Sequence, residues 1–209
     1  MGKKYRCIVA DPPWKIDPSP PIPRASEGFV DPRKRSSNGI YKRSSTNRKP
    51  EHKYPMMSVA EIANLPVSSF AEDGCHLYLW TINRYIESAY SIARSWGFNP
   101  SQILVWAKKP KGILFGTFTS TTEFVLFCRR GTLKSLRRID TTWWQWPRSN
   151  THSKKPDELQ SMIETVSPGP YLELFARRKR DGWDAWGNEV ECDIDLSPES
   201  EFDPEIFSI

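Results

Sequence analysis

The sequence predicts a three-layer α/β fold built on a mostly parallel sheet, and three observations carry that expectation. Short apolar runs of strand length recur along the chain at Cys7–Ala10, Leu77–Trp80, Ile103–Trp106, Phe124–Cys128 and Tyr171–Phe175. Segments with helical spacing of apolar residues alternate with these runs, and the intervals are long enough for crossover connections. Several runs are apolar at successive rather than alternate positions, the pattern of strands covered on both faces.

The elements follow in order. The first run stops at Asp11-Pro12-Pro13-Trp14, where two residues without an N–H end any ladder. Residues 17–53 are rich in Pro, Ser, Arg and Lys and show no period, so they read as a long inserted loop. Ser58-Val59-Ala60-Glu61 has the form of a capping box opening a short helix that ends before Pro66. Leu77–Trp80 is the second strand. From Arg84 to Trp96 the apolar residues Ile86, Ala89, Tyr90 and Ala93 share one helical face, and Gly97 stands where a left-handed residue closes a helix. Two strands follow. Pro156–Val166 is a helix with proline in its first turn and Asp157 and Glu158 where the helix dipole favours acids. The turn Ser167-Pro168-Gly169-Pro170 leads into the last strand. Residues 1–190 are expected to form one domain with 17–53 as its insertion, and 191–209 a poorly ordered acidic tail.

Charge is divided unevenly. The whole chain carries +5, the segment 24–53 holds nine Lys/Arg against three acids, and 189–209 holds eight acids and no base. A basic body with a basic insertion suits a polyanion such as nucleic acid, with Arg33, Lys34, Arg35, Lys42 and Arg43 as candidate phosphate contacts; a merely solvated surface is the alternative. No apolar stretch approaches the ~20 residues of a membrane span, and no signal-peptide core follows Met1, so an intracellular, cytoplasmic protein is expected. Cys7, Cys75, Cys128 and Cys192 are widely separated, which favours reduced thiols over a disulfide framework or a zinc site.

The Asp11-Pro12-Pro13-Trp14 loop carries the most specific chemistry. A carboxylate beside a carbonyl supplies two acceptors at one spot, which is what holding both N–H groups of an exocyclic amine requires. Pro13 biases residue 12 toward extended backbone, and Trp14 offers a flat face to an unstacked base. Ordinary turn chemistry is the bland reading of the same four residues. Its place at the end of a buried strand, where ligands of open α/β sheets bind, favours function.

Further along stand Lys154-Lys155-Pro156-Asp157-Glu158-Leu159, then Ser167-Pro168-Gly169, then Glu173-Leu174-Phe175-Ala176-Arg177-Arg178, and then Gly182-Trp183-Asp184-Ala185-Trp186-Gly187-Asn188. In this order, behind Asp11-Pro12-Pro13-Trp14, the series resembles the MT-A70 family of S-adenosylmethionine-dependent adenine-N6 methyltransferases, over roughly residues 5–190. The resemblance implies a Rossmann-like methyltransferase fold. It implies that Asp11 and Pro12 hold the target amine with Pro13 and Trp14 beside the base, and that Lys155 meets the cofactor carboxylate. Arg177 and Asn188 fall on the cofactor ribose, and Glu173 and Phe175 belong to the same cofactor-binding strand end. The implied cofactor is S-adenosylmethionine, with no metal, and the implied partner is nucleic acid, DNA ahead of RNA, in a bacterial or phage setting. An RNA methyltransferase and a non-catalytic nucleic-acid-binding member of the family are the rivals. Read singly, Lys155 is a solvated lysine, Glu173 a structural acid and Arg177–Arg180 a generic phosphate patch. A Gly-rich loop is absent after the Glu173 strand, where Ala176-Arg177-Arg178 stands instead. Trp143-Trp144-Gln145-Trp146 reads either as base-stacking or as core, and His152 as a cofactor gate or a structural histidine.

Overall fold

Among the described residues, strand β1 (Tyr5–Ala10) lies inside a sheet of seven strands, paired in parallel with β2 (Ala71–Thr81) on one side and β6 (Tyr171–Leu174) on the other. The computed structural model describes residues 2–15, 55–108, 120–147 and 154–196. With β3 (Asn99–Ala107), β4 (Thr122–Arg130), β5 (Trp143–Trp144) and β7 (Trp183–Trp186), the strand order is β5-β3-β4-β2-β1-β6-β7. Only β4 runs against the rest: it pairs antiparallel with both β2 and β3, while the other pairings are parallel. The expected mostly parallel α/β architecture is therefore present.

The two faces of β1 follow from its period of two. Ile8 and Ala10 join Leu77 and Leu79 under α1 (Val59–Ala63), α2 (Val67–Phe70) and α3 (Ile86–Ser95), where Ile62, Val67, Ile92 and Trp96 are buried. Cys7 and Val9 join Tyr78, Trp80, Leu104 and Trp106 under α4 (Asp157–Val166), which contributes Leu159 and Ile163. Burying both faces is the main favourable term, at about 1.5–3 kcal/mol for each large apolar side chain.

The local signals act as read. Ser58 accepts from the Glu61 N–H at 3.2 Å and Glu61 accepts from the Ser58 N–H at 2.7 Å, completing the capping box. Gly97 has φ +80° after α3. A 3-10 turn, Asn83–Tyr85, takes the start of the segment expected as helix from Arg84. Cys7, Cys75 and Cys128 are buried free thiols, while Cys192 is exposed. β2 is longer than its apolar run because Cys75 and His76 pair with Arg130 and Arg129 at the polar end of β4. β5 and β7 were not expected as strands; they have two and four residues and lie at the two edges of the sheet, and neither contains an apolar run as long as that of Tyr171–Phe175 from which a strand signal could be read. The packed chain also continues past residue 190. The Asp193 N–H donates to the Ala185 carbonyl, the Asp193 carboxylate accepts from the Ala185 N–H, both at 2.9 Å, and Leu196 is buried, because apolar residues alternate with the acids there. Residues 197–209 of the expected tail lie outside the described residues. Among the described residues no helix is long and apolar enough to cross a membrane.

Candidate active site

From β1 the chain adds β2 and β3 on one side, inserts β4 between them and places β5 outside β3, then returns to add β6 and β7 on the other side of β1. The carboxyl ends of β1 and β6 thus flank the point where the strand order reverses, the place where open α/β sheets bind ligands. Because β4 is antiparallel, its N-terminal residue Glu123, paired with Trp106, lies at this same edge. A pocket of about 250 Å³ opens here on the α4 side. Val9 and Asp11 from β1 and Glu173 and Phe175 from β6 line it at alternate positions, with Trp80 from β2, Leu159 and Gln160 from α4, and Lys155, Arg177 and Glu189 from the loops.

Asp11 and Lys155, 144 residues apart in sequence, meet here. The Lys155 ammonium donates to both carboxylate oxygens of Asp11 at 2.8 and 2.7 Å and lies 3.5 Å from Glu123. It also stands 5.1 Å above the Trp80 ring. Burial opposes the Lys155 charge, but Asp11 and Glu123 outweigh it and hold the ammonium above the ordinary lysine range. Burial likewise pushes Glu123 up, and Lys155 with Lys108 overcomes it, so Glu123 stays below the ordinary carboxylate range. Both partners are thus held charged, as a half-buried pair must be to avoid leaving one ion unpaired.

Glu173 is different. Burial raises its carboxyl to about 7; the hydrogen bond from Gln160 Nε2, at 2.6 Å, offsets only part of this, and the charge on Asp11 adds to the rise. A carboxyl that titrates near neutrality in a cleft wall marks a candidate functional position.

The Asp11-Pro12-Pro13-Trp14 loop is held by backbone hydrogen bonds. The Asp11 N–H reaches the Leu174 carbonyl at 3.4 Å, the Met57 N–H donates to Pro13 at 2.9 Å, and the Lys15 N–H donates to Met57 at 3.1 Å. The Trp14 N–H donates to the Pro12 carbonyl at 2.9 Å, so this carbonyl already carries one donor and keeps one lone pair. Trp14 itself requires a correction. Its ring is 7% exposed and stacks on Tyr85 with centroids 5.0 Å apart, within the α1–α3 side of the core. It braces the loop from beneath and presents no open face to a base.

Beyond β6, Phe175 adopts φ 63°, a left-handed conformation that costs a non-glycine residue about 1–3 kcal/mol. Its ring packs edge-to-face on Trp186 at 5.4 Å. The loops after β6 and β7 touch backbone to backbone: the Ala176 N–H donates to Trp186 at 2.9 Å, and a Cβ on Gly187 would fall 2.2 Å from the Ala176 carbonyl oxygen. Arg177 lies 3.8 Å from Glu189 across this junction. Asn188 is exposed beside it and does not line the pocket.

Sequence reasoning brought Asp11, Lys155, Glu173, Phe175 and Arg177 to one pocket. It missed Glu123, Gln160, Trp80 and Glu189. An acid or amide next to an apolar run carries no local mark of function, and only the order of strands puts Glu123 within reach of Lys155. Of the tryptophan run, Trp144 and Trp146 stack on each other at 5.1 Å and pack against the α4-side core, whereas Trp143 is 61% exposed. Arg33, Lys34, Arg35, Lys42, Arg43 and His152 lie outside the described residues.

Comparison with known proteins decides the family, because the MT-A70 family model matches residues 36–189. The chain belongs to the MT-A70 family. The matched part starts after the Asp11 loop. The MT-A70 chain is also 31% identical to the Type II methyltransferase M.MunI of Mycoplasma sp over 96% of its own length and 84% of that protein's. It is 26% identical to the human N(6)-adenine-specific methyltransferase METTL4 over 90% of its length, and 24% identical to the N(6)-adenosine-methyltransferase subunit METTL3 of Danio rerio over 94%. The MT-A70 chain spans 38% and 30% of those two longer proteins.

Proposed function

We propose that this chain transfers a methyl group from S-adenosylmethionine to N6 of adenine in DNA. The observation that carries the reading is the Asp11 carboxylate at the carboxyl end of β1, on the wall of a pocket that also holds Lys155, Glu173 and Arg177. The likeness to the Type II methyltransferase M.MunI, over most of that protein's length, supports the methyltransferase part of this reading, and the basic insertion at 24–53 supports a polyanionic substrate.

The donor set fits the cofactor. S-adenosylmethionine presents a carboxylate, an ammonium, ribose hydroxyls and a sulfonium, and the pocket offers Lys155 and Arg177 as cations, Glu173 and Glu189 as acceptors, and Phe175 and Leu159 as apolar walls. Bound there, it supplies an electrophilic methyl group. Lys155 would hold its carboxylate, and Arg177, with Asn188 beside it, its ribose. A Lys155 engaged in that way no longer neutralises Asp11. The freed carboxylate and the second lone pair of the Pro12 carbonyl then accept the two N–H groups of the target amine, drawing electron density onto its nitrogen. The amine sheds one proton in the reaction, and Asp11 is the acceptor in place for it. Holding the amine in this orientation contributes several kcal/mol, up to about 7–11 in well-aligned cases. We assign Arg33, Lys34, Arg35, Lys42 and Arg43 to phosphate contacts on the strength of the basic insertion's charge.

Labelled methyl transfer to DNA and RNA oligonucleotides, followed by nucleoside analysis, tests the reading. N6-methyladenine from DNA is the expected product. Label in RNA alone would move the activity to the other polymer, and label in neither would remove the methyltransferase reading.

A further inference from the structure

The sheet edge formed by β5 carries features that the pocket does not use. In the segment 129–147, five Lys/Arg stand against one Asp. Leu136 and Trp143, the two exposed large apolar side chains of the described residues, both belong to it, at 64% and 61% exposure. The segment is anchored at its lower end by the Leu136 N–H, which donates to Val166 at the end of α4 at 2.8 Å, and at its upper end by pairing of Trp143 and Trp144 with Val105 and Trp106. Between these anchors lie Arg137 and Arg138, both exposed; the contact of Arg138 with Asp140, at 3.7 Å and 94% exposure on both sides, neutralises little of its charge. Alternation along β5 turns Trp144 into the core and leaves Trp143 on the opposite side, with no ring stacked on it among the described residues.

We propose that this edge is a docking strip for nucleic acid flanking the target base, with Trp143 stacking on a base and Arg137 and Arg138 meeting phosphates. The proposal rests on the reading that the substrate is a nucleic acid. Position supports it as well as charge. Trp143 pairs at the same carboxyl edge of the sheet as Asp11, and four strand-to-strand steps separate β5 from β1. At about 4.8 Å each these steps span about 19 Å, which is five or six nucleotides of stacked strand at about 3.4 Å per nucleotide. A strand with one base in the pocket that crosses over the carboxyl edge of the sheet therefore reaches Trp143, on the face away from α4, within roughly half a helical turn. An exposed aromatic beside exposed cations is the combination that binds bases without reading their sequence.

The test uses the full chain as wild type, W143A, W143F and R137Q/R138Q, with fluorescein-labelled adenine-containing duplex and single-stranded oligonucleotides, by anisotropy across a salt series. W143A should weaken binding roughly five- to 150-fold, with W143F recovering most of it. R137Q/R138Q should lower the salt slope on duplex by about two. S-adenosylmethionine affinity should be unchanged in all variants. Wild-type binding and methylation with unaltered affinity and slope in the variants would overturn the strip while leaving the methyltransferase reading intact. A wild type that neither binds nor methylates nucleic acid would overturn both. Sedimentation showing a wild-type dimer that W143A converts to monomer, with binding per monomer retained, would overturn the proposal in favour of an interface between copies.

Discussion

Replacing Glu173 by glutamine should flatten the pH dependence of stability in a way no other substitution in this pocket would. Burial raises the Glu173 carboxyl from 4.5 to about 7 in the folded chain. Between those two values the unfolded chain has lost the proton and the folded chain keeps it, so stability falls as pH rises. Glu173 therefore costs nothing below about pH 4.5, and its full cost is present above about pH 7. At 1.36 kcal/mol per pH unit, the interval amounts to about 3 kcal/mol. Other acids act in the opposite sense: Glu123, whose folded value is depressed by Lys155 and Lys108 against its burial, adds stability that is lost on acidification. The informative quantity is accordingly the difference between wild type and E173Q. Urea unfolding at pH 5, 6, 7 and 8 should show E173Q gaining steadily on the wild type, by about 2–3 kcal/mol at pH 8 relative to pH 5. The amide introduced by E173Q keeps a partner in Gln160, whose Nε2 donates to the wild-type Glu173 carboxyl at 2.6 Å. Curves that stay parallel would show Glu173 to be ionised throughout, and would refute a carboxyl raised by burial. If Glu173 also faces a cationic cofactor, S-adenosylmethionine affinity should rise with pH through about 7 in the wild type and stay level in E173Q.

Asp11→Ala should cut turnover by two or more orders of magnitude, about 3–4 kcal/mol of barrier, with cofactor affinity within a few-fold; Asp11→Asn should fail as well, since its amide turns a donor toward the amine, and single-turnover kinetics with calorimetry separates the two effects. Lys155→Ala and Arg177→Ala should each raise the S-adenosylmethionine dissociation constant roughly ten-fold or more, whereas unchanged calorimetric titrations for both would remove the cofactor from this pocket. Gly187→Ala would place a Cβ 2.2 Å from the Ala176 carbonyl oxygen and should destabilise the protein by about 1–3 kcal/mol; an unaltered thermal melt would show that the junction of the β6 and β7 loops yields freely.

Local chemistry along the chain determined the kind of element at most positions. Apolar runs made the strands β1 to β4 and β6 legible, the Ser58–Glu61 pair announced α1, and Gly97 closed α3, because each signal acts over a few neighbouring residues. Asp11-Pro12-Pro13 was legible as a functional loop for the same reason, since two prolines end a ladder wherever they stand. Tertiary structure alone decided the rest. Strand order placed Lys155 against Asp11 across 144 residues, and the antiparallel direction of β4 brought Glu123 to that pair. Trp14 looked like an open platform in sequence, yet packing against Tyr85 buried it. The proton affinity of Glu173 depends on α4 covering it and Gln160 reaching it, and neither can be read from the strand that carries it. Periodicity reports which face of an element is apolar, whereas the meeting of charges depends on how the elements are ordered in space, and that order is set by long-range pairing and burial.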